Sequence, residues 1–109
     1  MPFERHHLAQ PPTRDQVDRL RGVAVLEFGT PWRGHCLRAQ PLIEQALAAR
    51  TGVQHIKIED GRGQPLGRSY GVKLWPTLVF LHNGQEVARA VRPADAKTLE
   101  QAFGALPAQ

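Results

Sequence analysis

Residues 23–36 read Val23-Ala24-Val25-Leu26-Glu27-Phe28-Gly29-Thr30-Pro31-Trp32-Arg33-Gly34-His35-Cys36. The first six form a nearly continuous apolar run, the pattern of a strand covered on both faces, interrupted by one carboxylate. Gly29 to Trp32 turn the chain at the carboxyl end of that strand, and Gly34 opens a helical pattern. A Trp-Cys-Gly-His-Cys turn between a strand and a helix is a disulfide-exchange motif. Here Arg33 stands where the first sulfur belongs, and Cys36 is the only cysteine in the chain.

Working outward, the helix is expected from about Gly34 to Arg50, with Ala39, Leu42, Ile43, Ala46 and Leu47 on one face and Pro41 placed to kink it. Gly52 ends it, and Val53-Gln54-His55-Ile56-Lys57-Ile58 alternates as a second strand. Strand, long helix and strand make a βαβ unit, which requires parallel pairing. Residues 59–69 read as loop with one helical turn before Tyr70-Gly71. Residues 77–81 then predict a strand, His82-Asn83-Gly84-Gln85 a tight turn, and residues 86–91 an antiparallel return. Pro93 is expected in the first turn of a last helix carrying Leu99, Ala102, Phe103 and Leu106. Toward the amino end, Thr13-Arg14-Asp15-Gln16 reads as a capping box opening a short helix that buries Val17 and Leu20, and residues 1–12 read as an irregular arm.

This order of elements, with a Trp-x-Gly-x-Cys turn after the first strand, resembles the thioredoxin family from about Thr13 to Leu106. Trp32 matches the family's tryptophan before the active site, and Gly34-His35-Cys36 the second half of the disulfide isomerase motif. Pro41 matches the helix-kinking proline, Trp75-Pro76-Thr77 the segment ending in a cis-proline and threonine, and Asn83-Gly84 the hairpin turn. The resemblance implies an α/β thioredoxin fold: one domain over residues 1–109, its central mixed sheet built from a parallel βαβ unit and an antiparallel hairpin, flanked by helices. It also implies that Trp75, Pro76 and Cys36 are neighbours, that the backbone of Trp75 pairs with extended substrate peptides, and that Glu27 corresponds to a buried acid beneath the second cysteine. Apart from the family, a cis X-Pro bond costs little relative to other cis peptides and is a turn feature when present; the alternative is that Pro76 begins an edge strand in trans.

At 109 residues the chain is long enough to bury a core without covalent staples. A lone cysteine excludes an internal disulfide framework, and the dispersed His6, His7, His55 and His82 offer no metal-ligand pattern, so no metal is expected and the histidines read as surface residues. Eleven of the fourteen basic residues are arginines scattered from Arg5 to Arg92 without a block, which argues against a nucleic-acid partner despite the net charge of +4. No transmembrane-length apolar run occurs, and the first residues lack a secretory pattern, so a cytoplasmic protein is expected, without a membrane partner.

Disulfide exchange needs a thiolate attacker and a second thiol to resolve the mixed disulfide. With the attacker replaced by Arg33, a dithiol cycle within one chain is excluded. Cys36 then carries two readings: a monothiol that exchanges with an external thiol, glutathione being the candidate, aided by Glu27; or a half-buried small residue filling the space under the turn. Glu27 itself either moves a proton, faces a solvated strand end, or pairs with Lys57. Arg33 either binds an anion or is a solvated side chain. In the second reading of Cys36 the protein is redox-inactive, and Trp32, Arg33, Gly34, His35, Trp75 and Pro76 grip an extended segment of a peptide or protein. The chain is expected as a monomer or a Cys36-linked dimer.

Overall fold

Hydrophobic periodicity becomes architecture in the computed structural model, which describes residues 3–8 and 10–108. Four strands form one sheet: β1 (Val23–Gly29), β2 (Val53–Glu59), β3 (Thr77–His82) and β4 (Gln85–Val91). The strand order is β2-β1-β3-β4, with β1 and β2 parallel and the other pairs antiparallel. Helix α2 (Gly34–Ala48) supplies the crossover between the parallel strands, and α1 (Arg14–Asp18), α3 (Pro65–Ser69) and α4 (Ala96–Phe103) complete the chain.

Strand periodicity places alternate residues of β1 on opposite faces. Val25 packs with Ala39, Ile43 and Leu47 of α2 and Leu99 and Phe103 of α4, whereas Ala24, Leu26 and Phe28 pack with Val17, Leu66 and Tyr70. Six of the seven β1 residues are therefore buried, as a strand covered on both faces requires. The expected capping box is present: Gln16 donates its backbone N–H to the Thr13 hydroxyl, and the Gln16 side chain accepts from the Thr13 N–H. Between β3 and β4, Asn83 and Gly84 both adopt positive φ (49° and 80°), the backbone of a two-residue hairpin turn. At Gly84 a methyl group would overlap the carbonyl of Asp18. We expect Gly84→Ala to cost about 3 kcal/mol in urea unfolding, from left-handed strain and this backbone clash together.

Three expectations need correcting. Helix α4 begins at Ala96, two residues beyond Asp95's predecessor Ala94, and Pro93 lies outside it; the Asp95 carboxylate accepts the Thr98 N–H and caps it, a stronger start signal than a proline. Strand β2 does not alternate, because His55, Ile56, Lys57 and Ile58 are all buried. The cause is the amino-terminal arm, irregular in backbone yet packed: Phe3 joins the core, its ring 5.3 Å from that of His55, and Leu8 forms a parallel bridge with Ile58. His55, expected at the surface, is consequently an interior residue.

Candidate active site

The carboxyl end of β1, the amino end of its antiparallel neighbour β3 and the start of α2 converge on the turn at residues 30–36. Strand β1 stops at Gly29, where a methyl group would lie 2.9 Å from the sulfur of Cys36, so the strand end and the helix approach as closely as glycine permits. Arg33 is the exposed N-cap of α2 and makes no side-chain capping bond, while its carbonyl accepts the Leu37 N–H (2.9 Å). Gly34 starts the helix under the guanidinium of Arg38, and His35 is exposed beside it, its Nδ1 3.1 Å from Arg38 Nη2. Arg92 and burial, with Arg38, hold the imidazole of His35 below the ordinary histidine range, because a second positive charge would be repelled there.

Cys36 is 4% exposed, and its sulfur accepts the backbone N–H of Thr30 (3.4 Å). The turn instead presents Trp32, 64% exposed, to solvent alongside Arg33 and His35. The Trp75–Pro76 bond is cis, Pro76 is buried, and its side chain lies near Gly29 on the same side as Cys36. Trp75 is half-buried; its indole N–H donates to the buried carboxylate of Asp60 (2.9 Å), and the Arg33 guanidinium lies 5.3 Å from the ring centre. The turn thus brings Trp32, Arg33, Gly34, His35, Trp75 and Pro76 together around a sulfur that lies beneath them.

Behind the sulfur lies a buried polar network that sequence reading reaches only in part. Glu27 is 1% exposed, not at a solvated strand end. Its carboxylate accepts from His55 Nε2 (2.8 Å) and from the Gln40 amide (2.8 Å), and lies 3.9 Å from Lys57 Nζ. Lys57 in turn donates to Gln40 Oε1 (2.7 Å), so Gln40 bridges the ion pair while also donating to the Cys36 carbonyl (3.1 Å). The backbone N–H of Glu4 donates to His55 Nδ1 (2.7 Å), which leaves the hydrogen on Nε2 and makes His55 a neutral donor to Glu27. Burial alone would raise the pKa of Glu27; the His55 hydrogen bond, the Lys57 charge and Gln40 outweigh it and hold the carboxyl below its ordinary value. Gln40, not the carboxylate, is the member that reaches Cys36, through its backbone. Gln40, His55, Thr30, Asp60 and Arg92 escaped the sequence reading. The available signal was that His55 and Lys57 share a face of β2, with Lys57 in register with Glu27.

A cavity of about 220 Å³ opens beside Cys36, lined by Thr30, Gln40, Lys57 and, from the arm, Phe3, Arg5 and His7. The Thr30 hydroxyl and His7 Nε2 are buried there without partners. Among the described residues, no group of three or more histidine, cysteine, aspartate or glutamate side chains is placed to hold a metal, and no helix is long and apolar enough to cross a membrane.

With this geometry in view, the Thioredoxin family matches residues 7–105. Thioredoxin 2 from Pseudomonas aeruginosa PAO1, solved in its reduced form, superposes with a TM-score of 0.83 at 52% identity over 93% of this chain and 94% of that one. Protein disulfide isomerase-like 2-3 of Oryza sativa subsp. japonica is 32% identical over 94 residues, which are 81% of this chain and 21% of that protein. Thioredoxin-1 of Caenorhabditis elegans is 28% identical over 65 residues, 60% of this chain and 56% of its own. This chain therefore spans about a fifth of the disulfide isomerase relative and nearly all of the bacterial thioredoxin. These likenesses support a role in thiol redox in general terms. The cis Trp75–Pro76 turn, the β2-β1-β3-β4 sheet and the family match agree: the chain belongs to the thioredoxin family.

Proposed function

We propose that this protein serves thiol redox by holding an extended segment of a partner protein in the groove of Trp32, Arg33, Trp75 and Pro76, without running a disulfide cycle of its own. The observation that carries this reading is the division of labour in the turn. The exposed first position is a guanidinium, while Cys36, the one cysteine, is 4% exposed and lies beneath the surface. A guanidinium can form bidentate hydrogen bonds but cannot attack a disulfide. Two indoles beside it offer large apolar area with little rotamer entropy to lose, the composition of a binding surface.

The test separates binding from chemistry. Binding of an unfolded, carboxymethylated polypeptide, followed by fluorescence anisotropy, is expected to weaken about tenfold or more in Trp32→Ala and to persist in Cys36→Ser. Loss of binding in Cys36→Ser, with Trp32→Ala unaffected, would reverse the reading.

Monothiol exchange has one observation in its favour, the cavity that reaches Cys36 from the arm side. In that case the Cys36 thiolate would displace the peptide thiol from a glutathionylated peptide, and glutathione, as the external thiol, would then free Cys36 and leave as oxidised glutathione. Release of glutathione from a glutathionylated peptide, at a rate proportional to protein concentration and absent in Cys36→Ser, would establish it.

A further inference from the structure

The groove has a charge. Arg92 lies in a left-handed backbone conformation (φ 47°), from which its N–H donates to the Pro76 carbonyl (2.8 Å) and its side-chain Nε to the Trp75 carbonyl (3.0 Å). That Trp75 carbonyl belongs to the residue whose backbone the groove would offer to an incoming chain, and a cation already occupies one side of it. Arg33 covers the ring of the same residue, so Trp75 is framed by two guanidinium groups. Next to them, Arg38 and His35 join Arg92 around a cavity of about 200 Å³ whose remaining wall is Leu42, Pro93 and Ala94.

Among the described residues no carboxylate pairs with this cluster. Arg5, Arg14, Arg50 and Arg89 each pair with an acid (Glu44, Asp18, Glu100 and Glu86), whereas among the described residues Arg33, Arg38 and Arg92 have no acidic partner. Lack of a partner alone marks nothing, since Arg19 and Arg21 share it at the opposite end of β1; convergence does. The acid nearest the groove in hydrogen bonding, Asp60, is buried and bonded to the Trp75 indole. Each N–H left on these side chains is a donor, and guanidinium groups bind carboxylates in bidentate fashion. The wall of Leu42, Pro93 and Ala94 suits the methylenes of an acidic side chain, and exposed Trp32 and Leu74 suit the apolar neighbours of an extended strand.

We propose that the groove recognises an extended acidic segment of a partner protein, seating a glutamate or aspartate carboxylate among His35, Arg38 and Arg92. The inference rests on the groove being a peptide-binding surface, and its test separates the two. Fluorescein-labelled Gly-Ser-Val-Val-Glu-Val-Val-Ser-Gly and its Gln and Lys analogues at the central position are titrated with the full chain and followed by anisotropy at low and high ionic strength. The Glu peptide is expected to bind about tenfold tighter than the Gln peptide at low ionic strength, with the advantage shrinking as salt rises. Arg38→Gln, an exposed position whose fold is checked by circular dichroism, is expected to bring the Glu peptide down to the Gln peptide's affinity. Equal binding of the Glu and Gln peptides would overturn the acidic preference and leave the groove reading standing. Binding of none of the three would overturn both. Displacement of the Glu peptide by glutathione at equal concentration would overturn the extended-segment claim in favour of a small acid.

Discussion

An Arg33→Cys variant is expected to gain disulfide reductase activity over the native chain. Position 33 is the N-cap of α2, with extended backbone, and position 36 lies in its first turn, so the two are one turn apart and a small adjustment at the N-cap brings their Cβ atoms to the roughly 3.5–4.5 Å a disulfide needs. A thiol at position 33 would sit exposed at a helix amino end, where a thiolate is favoured, with Cys36 one turn inside to resolve the mixed disulfide. Resolution then becomes intramolecular, and effective molarities for well-oriented groups reach on the order of 10⁵ M. Insulin reduction driven by dithiothreitol should rise at least about 100-fold over the native protein, a conservative fraction of that advantage. The gain should vanish when Cys36→Ser is added. A variant that folds and still does not reduce insulin would show that the remainder of the turn has also lost its competence.

The second large effect is expected at Glu27. Among the described residues this carboxylate is the one acid within ion-pair distance of buried Lys57, and it is the acceptor for His55, so Glu27→Gln leaves an ammonium in the interior without that counter-charge. Removing one partner of a buried pair costs about 3–5 kcal/mol. Adding Lys57→Met should recover part of that loss, and a double-mutant cycle in urea should give a coupling of at least about 1 kcal/mol. The same pair sets a pH dependence. Because the folded-state pKa of Glu27 is lowered, its contribution to stability is fully present above the ordinary value of 4.5 and disappears as pH falls from there through the folded value. His7 acts in the same direction at higher pH: burial and Lys57 lower its pKa from 6.5, so stability declines as pH falls below that value. Glu27→Gln should flatten the lower part of this acid limb and, because the Glu27 charge raises the His7 pKa and so opposes its lowering, extend the His7 part, measured as unfolding free energy across pH 3 to 7.

The features legible in the sequence are those with local causes. The apolar run of β1, the Thr13 capping box and the positive-φ Asn83-Gly84 turn each depend on residues within a few positions, and each is found where expected. The candidate site was legible as far as its turn, because Trp32 to Cys36 are contiguous and Trp75-Pro76 carries its own signature. What escaped depends on distant packing. The burial of His55 follows from Phe3, and its tautomer from Glu4, both about fifty positions earlier in the chain. The contact of Arg92 with Trp75 follows from β4 lying beside β3, which places two residues 17 positions apart at one end of the sheet. Local propensity carries no trace of either.

The measurement closest to the central claim, that the site binds through its surface while its sulfur is withheld, is the rate of Cys36 alkylation by iodoacetamide as a function of pH, native against urea-unfolded. With Cys36 4% exposed and its sulfur hydrogen-bonded to the Thr30 N–H, native labelling is expected to be at least about 100-fold slower than unfolded labelling and to rise along the urea unfolding curve. Rapid labelling of the native protein, with a midpoint below the free-cysteine value of about 8.5, would contradict the account and establish Cys36 as an activated thiol.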